Sequence, residues 1–283
     1  HFEQAFHGRS GYTMSLTNTD PKKIMYFPKF KWPRIKNPKL RFPITAEVLK
    51  EVEAAEKIAL KQIDDAFAHN PDDIACIILE PIQSEGGDNH FRPEFLQALR
   101  KICDEREALL IFDEVQTGFG LTGTWWAYEN FGVKPDIVAF GKKAQIGGIG
   151  VSERIDEVDS VFKVSSRINS TFGGNLVDMV RCTQYMKIIR DEKLDKNAAS
   201  TGEYILQQLG QLQKKYPQMT NIRGRGLIVA FDLPTTAERD NYRKTAWDLG
   251  LLVLICGDKS VRLRPVLDIS KKDVDVAMGL FEA

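Results

Sequence analysis

Apolar positions first settle into a helical repeat after Thr45, which opens the element. Val48, Val52, Ala55, Ala59, Ile63 and Phe67 recur every three to four residues and form one stripe on one helix face. The turn residues Asn70, Pro71, Asp72 and Asp73 close that segment, and a short apolar run, IACIILE, leads to Glu80. The spacing predicts a second helix over 93–106, with Pro93 in its first turn and Phe95, Leu96, Leu99, Ile102 and Cys103 on one face. Two further runs follow: ALLIFDEV, which carries Asp113, and DIVAFGK, from Asp136 to Lys142. All three runs are almost continuously apolar and separated by helical or loop spans. Parallel strands buried on both faces read this way. The core is therefore expected to be α/β.

Past Asn175 the pattern changes. A long helical region, roughly 175–215, places Ile205, Leu209 and Leu212 on one face. RGRG at 223–226 turns into the strand LIVAFDL, a helix runs to about Gly250, and LLVLIC and VRLRP read as short strands. The last helix opens at Ser270, with Asp273 as a capping-box-like partner, and buries Val274, Met278 and Phe281. The expected division is a large domain over 1–190 and a smaller C-terminal α/β domain over 191–283. One stretch stands apart: Pro21 to Arg41 holds eight basic residues, no acids and four prolines, with Phe27, Phe30 and Trp32 between them. It suits either a single-stranded nucleic-acid strip or a proline-stiffened surface loop.

Charge favours the loop. In 283 residues, 39 Lys and Arg balance 39 Asp and Glu, so no whole-molecule field holds nucleic acid or an anionic membrane. No apolar run nears the roughly 20 residues that span a bilayer. The four cysteines are scattered without a CxxC pair, which points to a reducing compartment, and a cytoplasmic location is expected. His1 begins the chain with no charged-then-apolar leader after it, and no targeting segment is expected. The four histidines lack metal spacing, so no metal site is expected. Neither a phosphate-binding GxxxxGK[ST] loop nor a GxSxG elbow occurs, and GGIG at 147–150 is too short for a dinucleotide fingerprint.

Each of the three apolar runs ends on a charge: Glu80, Asp113 and Lys142. The carboxyl ends of parallel strands form the ligand crevice of open α/β sheets. Ions placed there need partners, since desolvation costs several kcal/mol each. A buried Asp–Lys salt bridge without chemistry would satisfy that need as well as a catalytic site would. The local strings ILEPIQSEGG (78–87), IFDEVQTGFG (111–120), VAFGKK (138–143) and NSTFGGN (169–175), with HGRSGY before them and VRLRP after, occur in one order. Together they resemble the class III, fold-type-I aminotransferases, which use pyridoxal 5'-phosphate. AFHGRSGYTMSLTNTDP, RINSTFGGNLVDMVR and FDLPTTAERD are most similar to the branch that takes the ε-amino group of L-lysine.

The resemblance implies a set of roles. Lys142 matches the Schiff-base lysine, with Lys143 as its rival; a desolvated strand-end position would keep the amine neutral and nucleophilic. Asp113 matches the acid that faces the pyridine nitrogen, Gln116 a position beside the cofactor's 3'-oxygen, and Phe6 the ring-stacking aromatic, although Phe6 also suits ordinary core. Glu114 is expected to be structural. Ser170 and Thr171, beside two glycines, suit the phosphate, and the threonine implies a homodimer with shared active sites. Arg9 matches the residue that grips the donor's α-carboxylate, and Arg262 the one that takes 2-oxoglutarate or glutamate. Glu85 matches the acid that covers Arg262 when the donor is bound, though a solvated loop acid would read the same. Asn169 is expected to add a polar contact to substrate, and Arg264 is the weaker carboxylate ligand. The reaction implied moves the ε-amino group of L-lysine to 2-oxoglutarate, giving 2-aminoadipate 6-semialdehyde and glutamate. Ornithine or 4-aminobutyrate are the competing donors, and a non-catalytic fragment is the reading from another class. Two departures weigh against the pattern: Leu121 replaces an arginine, and the family's Gly/Ser-rich phosphate turn has no counterpart here.

Overall fold

The structure is a computed structural model that describes residues 1–168, 171 and 173–282. A short helix, α1 (Thr13–Leu16), precedes the basic stretch, and α2 (Ala46–His69) follows it, with the Thr45 hydroxyl accepting from the Val48 N–H. Strand β1 (Cys76–Leu79) leads into a two-stranded hairpin, β2 (Ile82–Gln83) and β3 (Asn89–His90). Helix α3 (Pro93–Glu105) then returns the chain to β4 (Leu109–Asp113), and β5 (Ile137–Phe140) and β6 (Gly148–Val151) complete the first sheet. Its order is β1-β4-β5-β6; β1, β4 and β5 are parallel and β6 is antiparallel. Helix α3 covers this sheet with Phe95, Leu96, Leu99 and Cys103, as its apolar spacing predicts.

Three local expectations change. The helical region beyond Asn175 is two helices, α4 (Leu176–Asp191) and α5 (Leu194–Lys215), broken where Lys193 turns left-handed at φ +54°. RGRG lies not in a turn but largely in a strand, β7 (Thr220–Arg225); Gly226 and Leu227 make the reversal into β8 (Ile228–Asp232). Burial on both faces holds only in part. Residues of β1 alternate between buried and half-buried, and β5 is half-buried throughout, beside an edge strand whose Ile149 and Val151 are exposed.

Helix α6 (Thr236–Asp248), strands β9 (Leu254–Cys256) and β10 (Ser260–Leu263), and α7 (Lys271–Glu282) finish the chain. Ser270 and Asp273 exchange capping hydrogen bonds at the start of α7. The second sheet, β7-β8-β10-β9, is antiparallel throughout. The basic stretch is largely an exposed loop that buries Ile35, Pro38 and Leu40, and its Phe30 and Trp32 stack nearly parallel with Tyr12 of the preceding segment. Among the described residues no helix is long and apolar enough to cross a membrane, and the four cysteines are free.

The loop between β2 and β3, Ser84–Asp88, is pressed against the second sheet. Arg223 of β7 is buried and uses every nitrogen of its guanidinium there. It donates to the backbone oxygens of Gly87 and Asp88, to Asn221 O, to Ser260 Oγ and to Asp232 Oδ1 at 2.9 Å. Gly257 N–H adds a bond to Glu85 O at 3.0 Å, and Arg264 pairs with the buried Asp88. Gly86 lets the loop pass Gln4, whose carbonyl oxygen would lie 2.0 Å from any Cβ at that position. Arg223→Met leaves Asp232 and two loop carbonyls uncompensated. It should cost about 3–5 kcal/mol, read as a lower urea midpoint at unchanged slope, and the further change Asp232→Leu should recover part of the loss.

Candidate active site

Because β1, β4 and β5 run parallel, their carboxyl ends share one edge. Glu80 follows β1, Asp113 ends β4 opposite Ala139 of β5, and Gly141 and Lys142 follow β5. At this edge lies a cavity of about 520 Å³ lined by six of the sequence-predicted residues: Phe6, Arg9, Glu85, Gln116, Lys142 and Arg262. Lys23, Lys143, Arg264, Leu121, Leu254 and Pro265 complete its wall. Asp113 is buried behind the lining. Thr171 is exposed and lies outside it, and Asn169 and Ser170 lie outside the described residues. No cluster with metal-ligand chemistry occurs among the described residues.

Asp113 is held by a partner that sequence reasoning passed over. His7 Nδ1 lies 2.8 Å from Asp113 Oδ2, and the Val115 N–H donates to Oδ1 at 3.1 Å. The contact needs a proton on Nδ1, because the carboxylate only accepts. His7 is fixed in turn by its backbone N–H on Thr17 Oγ1, while its Nε2 is buried without a partner among the described residues. The available signal was position: His7 stands between Phe6 and Arg9 in the string AFHGRSGY. Asp113 is not sealed, since 11% of its side chain remains open. Behind Phe6, Glu80 accepts the N–H groups of Phe6 and Ser84, each at 3.0 Å, and so ties the first stretch of chain to the Glu85 loop. Burial, reinforced by Asp113, pushes the Glu80 carboxyl up to about 8.

The two lysines differ from expectation. β5 stops at Phe140, Gly141 is extended, and Lys142–Ala144 is a single 3-10 turn with Lys142 at φ +50°. Both side chains line the cavity. Lys142 is exposed to that open space rather than desolvated. Lys143 is the desolvated amine. Its Nζ donates to Gln116 O at 2.7 Å, and burial, with Arg264 and Lys142 adding to it, pushes the amine down to about 7. Glu114 takes no part in the cavity. Its carboxylate accepts the Ala127 and Tyr128 N–H groups and the Thr117 hydroxyl, and burial raises it.

Across the cavity, Glu85 sits between two cations. Arg262 of β10 donates Nη2 to Glu85 Oε2 at 3.2 Å, and the Lys23 ammonium binds Oε1. Burial pushes the Glu85 carboxyl up, but the two cations outweigh it and hold it below its ordinary value. Arg262 is 9% exposed, and its Nε and Nη1 have no partner among the described residues. Arg264, beyond the end of β10, is committed to Asp88 and to Leu263 O. Lys23 was hidden within the basic stretch, where seven other cations carry the same signal. Leu121, the expected arginine position, is a buried part of the wall.

Known proteins share this arrangement of chain. The L-lysine-epsilon aminotransferase of Mycobacterium tuberculosis is 51% identical over 281 residues, which are 99% of this chain and 62% of that protein. The 4-aminobutyrate aminotransferase of Kluyveromyces lactis is 37% identical over 286 residues, 99% of this chain and 60% of its own length. A solved structure of the lysine aminotransferase from M. tuberculosis in the internal aldimine form superposes with a TM-score of 0.96 at 51% identity, covering 99% of this chain and 64% of that one. The chain thus spans about three-fifths of the length of these relatives. Its fold is that of the pyridoxal-phosphate-dependent aminotransferases. All of residues 1–283 match the class-III aminotransferase family, and the chain belongs to it.

Proposed function

We propose that this protein is a pyridoxal 5'-phosphate-dependent aminotransferase that moves the ε-amino group of L-lysine to 2-oxoglutarate, giving 2-aminoadipate 6-semialdehyde and glutamate. The observation that carries the reading is Arg262, a buried guanidinium at a cavity wall with two nitrogens unused among the described residues and the third resting on the loop acid Glu85. Such an arginine suits a ligand carboxylate, to which it can present a two-pronged donor face. The identity of 51% to a lysine enzyme against 37% to a 4-aminobutyrate enzyme favours lysine as donor. Arg9 in the same wall supports a donor with an α-carboxylate.

The residues present fit the cofactor: an accessible amine at Lys142, a partly open acid at Asp113, the Phe6 ring as a wall, and Gln116 beside them. When bound, pyridoxal phosphate supplies an electron sink for the substrate's reacting carbon. Lys142 would hold the cofactor through its amine and would carry the proton to and from substrate. Asp113, oriented by His7, would hold a proton at the ring nitrogen. Gln116 would stand beside the 3'-oxygen, as the resemblance implies, and Lys143 fixes the Gln116 backbone through its carbonyl oxygen. Ser170 and Thr171 are proposed to contact the phosphate and Asn169 the substrate, on the resemblance alone. Glu85 covers Arg262 while the donor is bound and yields it to the carboxylate of the acceptor. A homodimer with shared sites, a cytoplasmic location, and a division into 1–190 and 191–283 belong to the same proposal.

Borohydride reduction of the cofactor-loaded protein should fix the pyridoxyl group to the peptide holding Lys142, and Lys142→Ala should cut turnover by about 10²–10⁴-fold. Attachment at Lys143 would reverse the two assignments. Lysine should exceed ornithine, one methylene shorter, by about 10–200-fold in kcat/KM, measured side by side with 4-aminobutyrate, which should be poorer still. Arg262→Met should weaken acceptor binding by about 2–5 kcal/mol, read as a higher Michaelis constant for the oxoacid, while that for lysine stays near the parent value.

A further inference from the structure

Lys23 is the cavity cation to which the family pattern gives no role. It ends a 3-10 turn, Pro21–Lys23, that is fixed by the Asp20 side chain accepting the Lys22 N–H at 2.9 Å. From there the side chain reaches over the Phe6 ring, with Nζ 5.3 Å from its centroid, to Glu85 Oε1. Arg262 occupies the other oxygen of the same carboxylate. Lys23 and Glu85 each keep 27% of their side-chain surface open, whereas Arg262 keeps 10%. Two cations thus share one anion, and the trio carries a single net positive charge, the complement of one ligand carboxylate.

We propose that Lys23 is a positioning residue that holds Glu85 after a dicarboxylate acceptor has taken Arg262. The inference rests on reading Arg262 as the acceptor's carboxylate site. As the ligand carboxylate takes over Arg262 Nη2 and the unused Nε and Nη1, Glu85 gives up its Oε2 contact. It remains on Lys23 through Oε1 and swings aside without losing its last counter-charge. Without Lys23, the glutamate and the ligand carboxylate would compete for one guanidinium in a partly desolvated wall, leaving a net negative charge there. Lys23 therefore favours the acceptor half of the cycle. The amino donor binds while Glu85 still rests on Arg262, and gains little from it.

The test uses the cofactor-loaded full-length enzyme, with glutarate as a dicarboxylate that binds without reacting. Lys23→Met should raise both the calorimetric Kd for glutarate and the Michaelis constant for the oxoacid acceptor about tenfold, the factor that corresponds to 1.4 kcal/mol. The Michaelis constant for lysine should move by less than about twofold, and Lys23→Arg should restore the parent values within the same margin. In a Glu85→Gln background, Lys23→Met should change glutarate binding by less than about twofold, because no anion then needs holding. Unchanged glutarate binding in Lys23→Met would overturn the proposal. So would a full tenfold loss that persists beside Glu85→Gln, since Lys23 would then attract the ligand directly. A drop in melting temperature that carries every constant with it would assign Lys23 a structural role instead. If lysine and the oxoacid do not turn over but glutarate still binds through Arg262, the proposed reaction fails and the Lys23 comparison remains readable.

Discussion

The buried pair between Arg223 and Asp232 is the constraint on which the cavity's geometry depends. Arg223 spends one guanidinium on the backbone of the Ser84–Asp88 loop and on the β8 acid at once, so the loop is bonded to the second sheet rather than merely packed on it. An ion pair so deeply buried contributes little net stability over an apolar substitute, but breaking half of it is costly. That asymmetry specifies one arrangement. Glu85, at the loop's crest, thereby meets Arg262 from a strand 177 positions away in sequence. Arg264 and the Gly257 N–H repeat the same attachment on either side.

The opposite wall is built by a different device. Parallel strands end on one edge, and the acids there would repel one another if left to themselves. Burial, with Asp113 adding to it, drives Glu80 toward its neutral form. Asp113 is stabilised from the other direction by a histidine and a backbone N–H. Two carboxyls on neighbouring strands thus have different surroundings: Glu80 serves as a scaffold acceptor for two backbone N–H groups, and Asp113 stands behind the cavity wall on His7.

Much of this was legible in the chain. The 3.6-residue stripes of α2 and α3, the apolar runs of β1 and β4, and the cap at Ser270 depend on short-range pattern, which sequence reports directly. Arg9, Glu85, Gln116 and Arg262 were identifiable through motif resemblance, and the cavity gathers them. What escaped depended on where the backbone stops being regular. VAFGKK reads as a strand through Lys142, yet β5 ends at Phe140 and the next residues form a tight turn, so the desolvated amine expected of a strand-end Lys142 is found at Lys143 instead. His7 carried no metal spacing and Lys23 sat in a charged loop. Neither position reveals its partner, because Asp113 and Glu85 are 106 and 62 residues distant.

The turn at Lys142–Ala144 also gives the cavity a spare amine. An electrophile entering it meets two primary amines from adjacent residues, one open to the solvent space and one deprived of water and close to losing its proton at neutral pH. Aldehyde reagents should therefore discriminate between them by access on one side and by basicity on the other. Reactivity at this edge is shaped by competition between neighbours, and removing the first lysine leaves a second nucleophile already aimed into the same space.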